Sequence, residues 1–271
     1  MPVTGGALGG WVTGDGQPVL LLHGGPGLSY EYLNELRVEL GSGYRIASYQ
    51  QRGLEPSTLK GPFTVAQEIA DALAVLDELG WSDALIVGHS WGGHLALRLA
   101  AAYPDRILGA LAIDPLGVVG DGGQAAFEAE MAARTPKADR ERAVELDRRA
   151  MAGEGSPEDL MESVRIVWPA YFADPENVPA MPPIRMSVEV YSSIVADLTT
   201  DIDKVTAALA TGAVAYGVLA GAASPMPWGQ AARATAELSP RGFLTVVPAA
   251  GHFPWFEAPG RVRAALARLH E

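Results

Sequence analysis

Short apolar runs that stop at glycine-rich turns alternate with longer stretches of helical spacing through the first half of the chain. Pro18 to Leu22 stops at His23-Gly24-Gly25-Pro26-Gly27, and Tyr44 to Tyr49 is a second run. Ala84 to Val87 ends at Gly88, and Gly109 to Ile113 ends at Asp114. Strands alternating with helices predict a parallel sheet covered by helices. Between the second and third runs, Val65, Ile69, Leu73 and Leu76 recur at i, i+4, i+8 and i+11, on one face of a helix. Thr64 with Gln67 has the spacing of a capping box, and Gly80 suits the C-terminal cap.

After Asp114 the rhythm breaks, and no convincing buried strand is legible until about Asp203. Ala138 to Met151 is rich in Arg, Asp and Glu and predicts a solvated helix. Ser156-Pro157-Glu158-Asp159 has Ser at the N-cap and Pro at the first helical position. Trp168 to Pro183 carries prolines at 169, 175, 179 and 182 besides the last, which predicts an irregular, stiff loop. Sheet-like sequence resumes at Ala213 to Leu219 and at Phe243 to Val247, and a helix is expected from about Pro259 to His270. The organisation expected is a core of residues 1–116 and 206–271 with a helical cap, residues 117–205, inserted over the sheet.

The 271 residues are 48% hydrophobic and 19% charged, enough to bury one large core. A formal net charge of -12 opposes binding to a phosphate backbone, so nucleic acid is not an expected partner. The absence of cysteine removes disulfides, thiolate metal sites and Cys nucleophiles. Met1-Pro2-Val3-Thr4 opens no basic-then-apolar leader, and no apolar run is long enough to cross a bilayer. A cytoplasmic location away from membranes is the expectation; the oligomeric state is not legible.

The most specific motif is Gly88-His89-Ser90-Trp91-Gly92, a G-x-S-x-G between a strand and a helix that runs to about Tyr103. A sharp strand-to-helix turn needs small flanking residues so that the backbone can double back and expose the serine hydroxyl. That hydroxyl needs an imidazole to take its proton. Of five histidines, only His252, in Gly251-His252-Phe253-Pro254, lies on a loop just beyond a late strand; His23 is better suited to holding its own turn together. Negative charge on a reacting carbonyl would be met by backbone N–H groups, with Trp91 and Gly25 the expected donors of an oxyanion hole. No metal or organic cofactor is implied.

Together, His23-Gly24-Gly25-Pro26-Gly27, Gly88-His89-Ser90-Trp91-Gly92-Gly93 and Gly251-His252 resemble the α/β-hydrolase family over residues 17–116 and 213–271. The resemblance implies an α/β-hydrolase fold, a mostly parallel central sheet flanked by helices, and a catalytic triad. Within the family the motifs look most like the prolyl iminopeptidase-like branch, whose turn is also HGGPG. Where that branch has DQRGxGxS, this chain has Gln50-Gln51-Arg52-Gly53-Leu54-Glu55-Pro56-Ser57, matching at Arg52, Gly53 and Ser57 but not at Gln50 or Glu55. An aminopeptidase of this branch would also need cap acids to hold a free amine, and none can be assigned from sequence.

Members of the family usually carry the triad acid after the strand preceding the His strand, but here Ser224 stands there, in Gly221-Ala222-Ala223-Ser224-Pro225-Met226-Pro227. Asp114, ending the strand after the nucleophile helix, is the expected acid, as in certain dehalogenases and lipases that this arrangement resembles; Glu237, or no acid, is the alternative. Trp168, Tyr171, Phe172, Met226 and Phe253 are candidates to line an apolar substrate pocket. The expected function is a serine hydrolase forming an acyl-enzyme from a small or medium ester, lactone or thioester with an apolar part. A prolyl-type aminopeptidase, a carbon-carbon bond hydrolase and a non-catalytic ligand-binding homologue are the alternatives.

Overall fold

The computed structural model describes residues 1–152 and 154–270; Gly153 and Glu271, which fall in the expected cap and core ranges, lie outside the described residues. The chain opens with a hairpin of β1 (Pro2–Val3) and β2 (Gly6–Ala7), followed by β3 (Gly10–Thr13) and β4 (Gln17–Leu22). Next come α1 (Leu33–Leu40), β5 (Tyr44–Tyr49), α2 (Val65–Glu78), β6 (Ala84–His89), α3 (Trp91–Ala102) and β7 (Ile107–Ile113). Four helices then pass without a strand: α4 (Gln124–Arg134), α5 (Lys137–Met151), α6 (Pro157–Val167) and α7 (Val188–Asp197). The alternation returns with α8 (Ile202–Thr211), β8 (Ala215–Gly221), α9 (Arg233–Ala236), β9 (Gly242–Val247), α10 (Pro254–Glu257) and α11 (Arg261–Ala267).

Strands β3 to β9 form one sheet in the order β3-β5-β4-β6-β7-β8-β9. Six run parallel, and β3 alone pairs antiparallel, with β5. Successive strand residues point to opposite faces, and both faces are covered, which explains the unbroken apolar runs. Leu20 and Leu22 of β4, Ile86 of β6 and Ala110 and Ala112 of β7 pack on one side with α2, α3 and α8. Val19, Leu21, Leu85, Val87, Leu111 and Ile113 pack on the other with α1 and α11. Strand β3 was not legible because its four residues, half of them exposed, form an edge with no such run.

Local signals act as expected at some termini and differ at others. Thr64 caps α2 by accepting from Gln67 N at 3.2 Å, but the Gln67 side chain turns along the helix to Asp71 Oδ1 at 2.9 Å, so the reciprocal half of a capping box is replaced by an i, i+4 contact. The full box forms at α6, between Ser156 and Asp159. The boundary expected between residues 205 and 206 falls inside α8, whose Ile202, Val205 and Leu209 bury against the sheet side that carries α3. Among the described residues no helix is long and apolar enough to cross a membrane.

Candidate active site

Strand β6 ends at His89 and helix α3 starts at Trp91, leaving Ser90 alone to make the bend, at φ 56° and ψ -122°. This positive-φ conformation is unfavourable for a residue with a Cβ and persists only where its surroundings hold it. Ser90 N donates to Ile113 O at 2.8 Å, and Gly93 N and His94 N donate to Ser90 O at 2.9 and 3.1 Å. A Cβ at Gly92 would fall 2.6 Å from His23 O and closer still to Leu22 O, and one at Gly88 would collide with Gly92 O. The two glycines of the motif are thus where backbone crosses backbone.

His252 follows β9 and reaches back to Asp114, at the end of β7: Nδ1 lies 2.6 Å from Asp114 Oδ2. Asp114 is 0% exposed, His252 3% and Ser90 8%. Asp114 Oδ1 accepts from Gly221 N at 3.0 Å, and Oδ2 also accepts from Ser224 Oγ. Ser224, after the strand that precedes the His252 strand, therefore hydrogen-bonds to the carboxylate that fills the neighbouring strand end. Glu237 is exposed and pairs with Arg233 at 3.4 Å, away from this cluster.

The His252 peptide is held on both sides. Its N–H donates to Tyr171 O at 2.7 Å, and its carbonyl accepts from His89 Nε2 at 2.9 Å. Gly251 N donates to Glu257 Oε2 at 2.6 Å, while Glu257 Oε1 accepts from Ala173 N at 2.8 Å. Ser90 and His252 open into one cavity of about 270 Å³ between the sheet and the helices that follow β7. Among the described residues neither Ser90 Oγ nor His252 Nε2 makes a hydrogen bond; such contacts are often long in a free site and tighten when substrate binds.

Trp91 N–H opens α3 and so has no carbonyl one turn back to bind. Gly25 N–H has no partner among the described residues, and Gly25 lines the cavity at φ 123°. Gly24 N–H, by contrast, is occupied by Tyr32 Oη at 2.6 Å. His23 is buried and structural: Nδ1–H donates to Gly24 O at 2.8 Å and Nε2 accepts from Gln51 N at 3.0 Å. Burial pushes its pKa down to about 4, which keeps it neutral. Gln51 links this turn to the elbow, accepting from Trp91 Nε1 at 2.8 Å through Oε1 and donating to His23 O at 2.9 Å through Nε2.

Trp168, Tyr171 and Phe253 line the cavity, whereas Phe172 and Met226 do not. Phe172 forms a second layer, stacked on Phe253 with ring centroids 5.4 Å apart and against Trp168 at 5.0 Å. Met226 is buried beyond the acid, its N–H donating to Ser224 Oγ at 3.0 Å. Apolar side chains cluster behind a pocket as readily as in front of it, and sequence does not separate the two layers.

Sequence reasoning missed Tyr32, Asp147 and Ser163, which also line the cavity. For Asp147 a signal existed. It shares a helix face with the buried Ala143, Leu146 and Ala150, so one carboxylate interrupts the apolar stripe of α5. Desolvation beside the cavity pushes its pKa up.

Comparison with known proteins agrees with this architecture. A stretch of 101 residues, 36% of this chain and 28% of the relative, is 34% identical to epoxide hydrolase B of Mycobacterium tuberculosis. The aligned stretch thus spans under a third of that relative's length. A hydrolase from Pseudomonas aeruginosa superposes with a TM-score of 0.69 at 19% identity, covering 100% of this chain and 97% of that one. A thermophilic esterase from Thermogutta terrifontis gives 0.66 at 23% identity, covering 97% and 94%. Residues 19–265 match the model described as the alpha/beta hydrolase family.

Proposed function

Because the chain belongs to the alpha/beta hydrolase family, we propose that it is a serine hydrolase of small or medium esters, lactones or thioesters with an apolar part. The observation that carries this reading is the buried pair His252 Nδ1 and Asp114 Oδ2, 2.6 Å apart, opening on the cavity that Ser90 also lines. Asp114 holds the imidazole as the Nδ1–H tautomer, leaving Nε2 free to accept the proton of Ser90 Oγ. The oxygen attacks the substrate carbonyl, and Gly25 and Trp91 N–H groups stabilise the oxyanion. His252 returns the proton to the leaving group, and water activated by the same imidazole then hydrolyses the acyl-enzyme. Trp168, Tyr171 and Phe253 form the apolar wall that favours an uncharged acyl or alcohol body.

The nucleophile argues against carrying the epoxide hydrolases' activity over to this chain. Opening an epoxide with Ser90 Oγ would form an ether, which neither water nor the oxyanion donors could release. An acyl ester on Ser90 turns over.

A prolyl-type aminopeptidase is the second reading, favoured by Asp147, the acid lining the cavity, which offers a carboxylate to a free amine. Fluorophosphonate labelling lost in Ser90→Ala, followed by chromogenic esters against prolyl anilides, tests both. Absence of labelling of the wild-type protein would favour a ligand-binding homologue and sink the hydrolase reading. Preference for prolyl anilides, abolished by Asp147→Asn, would replace the esterase reading by the peptidase one.

A further inference from the structure

We propose that Tyr32 and His89 are positioning residues that couple the oxyanion turn to the base loop through one directed hydrogen-bond chain. The inference rests on the hydrolase reading for its catalytic consequence, and on geometry alone for the chain itself. Gly24 N lies 2.6 Å from Tyr32 Oη, Tyr32 Oη lies 2.9 Å from His89 Nδ1, and His89 Nε2 lies 2.9 Å from His252 O. The direction follows from the two ends. An amide N–H can only donate, so Tyr32 Oη accepts from Gly24 and turns its own hydrogen toward His89 Nδ1. A carbonyl can only accept, so His89 Nε2 carries the ring's hydrogen. His89 is therefore held as the neutral Nε2–H tautomer.

That tautomer has two consequences. Its donor fixes the carbonyl of His252 while Tyr171 O fixes the amide, so the base is oriented through its backbone as well as through Asp114. Its neutrality matters because the His89 and His252 ring centroids are only 4.5 Å apart. A second positive charge there would oppose the imidazolium that His252 becomes during turnover. The other groups against His89 are Tyr32, Phe253 and Trp255, and Asp114 sits beyond His252. No cation or carboxylate bonds to His89 itself among the described residues. Burial together with His252 pushes the His89 pKa well below its ordinary value. At the other end, Tyr32 engages Gly24 N–H, adjacent to the Gly25 N–H assigned to the oxyanion.

Tyr32→Phe keeps the ring and removes the first two of the three hydrogen bonds; His89→Phe removes the last two. Each is expected to lower kcat by roughly ten- to a hundredfold, the scale of one lost buried hydrogen bond, with KM changed by less than about threefold. Because both act through one chain, the double variant should be no slower than His89→Phe alone. His89→Gln, whose amide can still donate toward His252 O, should recover part of the loss. The imidazole ¹⁵N signals of His89 should report the Nε2–H tautomer in the wild-type protein, and in Tyr32→Phe the same tautomer with the Nδ1 signal shifted by loss of its hydrogen bond.

Normal kcat in Tyr32→Phe, or losses that multiply in the double variant, would overturn the coupling. An Nδ1–H signature in the wild type would overturn the chain whether or not the protein hydrolyses anything. Failure of the wild type to label with a fluorophosphonate, with the Nε2–H signature intact, would instead sink the hydrolase reading and leave the chain standing.

Discussion

Ser224 Oγ donates to Asp114 Oδ2, the same carboxylate oxygen that lies 2.6 Å from His252 Nδ1. The ends of β7 and β8 thus converge on one point beside the imidazole, and the acid occupies the first of them. Asp114→Asn is expected to lower ester turnover by about 10³ to 10⁴, because an amide no longer enforces the tautomer that frees Nε2. Adding Ser224→Asp to that variant should restore about tenfold or more, since residue 224 already reaches the shared oxygen. Turnover of Asp114→Asn near the wild-type rate would remove Asp114 from the reaction, and no recovery in the double variant would show that the two strand ends are not interchangeable.

Gly92→Ala tests the elbow sterically. Its Cβ would lie 2.6 Å from His23 O, a backbone atom that cannot swing aside. Overpacking of this kind costs about 1–3 kcal/mol or more, and relief can come only by displacing the Ser90 bend. The expected result is a lower melting temperature together with loss of fluorophosphonate labelling; a stable, fully labelled variant would contradict the crossing of β4 and α3 described above.

Arg52 and Asp71 form a buried bidentate pair, Nε to Oδ2 and Nη2 to Oδ1 at 2.6 Å each. Arg52→Met leaves the Asp71 carboxylate buried without its partner, at an expected cost of about 3–5 kcal/mol in urea unfolding. Replacing both by apolar residues, Arg52→Met with Asp71→Leu, should be less destabilising than the single change. A double variant worse than the single one would argue that the pair contributes more than its own neutralisation.

Glu68 faces the opposite situation: both carboxyl oxygens are buried without a hydrogen-bond partner. Burial, with Asp71 nearby, pushes its pKa up from 4.5 to about 8, so the folded protein keeps the proton that the unfolded chain loses. Stability from this group is fully present below pH 4.5, falls by about 1.4 kcal/mol per pH unit as pH rises toward 8, and is lost above that. Glu68→Gln cannot titrate, so its stability should not carry this slope between pH 5 and 8, whatever its absolute value. Parallel pH profiles for the two proteins in chemical denaturation would refute the assignment.

Sequence by itself determined the parallel sheet and the bend at Ser90, because both are local. A strand buried on two faces must be apolar residue after residue, as in Val19–Leu22 and Leu85–Val87, and a strand-to-helix bend admits only glycine where backbones touch, as at Gly88 and Gly92. Ser156-Pro157 was legible for the same reason, since a cap acts within one turn. Strand β3 and residues Tyr32 and His89 as a linked pair left no periodic trace. Only the tertiary structure decided that Asp114 meets His252 across 138 residues, that Ser224 hydrogen-bonds to the Asp114 carboxylate, and that Phe172 and Met226 stand behind the cavity wall. Those relationships depend on which strand ends lie side by side and on which layer a buried side chain occupies. Both are set by the order and packing of elements distant in the chain, and neither changes the residue pattern within any one of them.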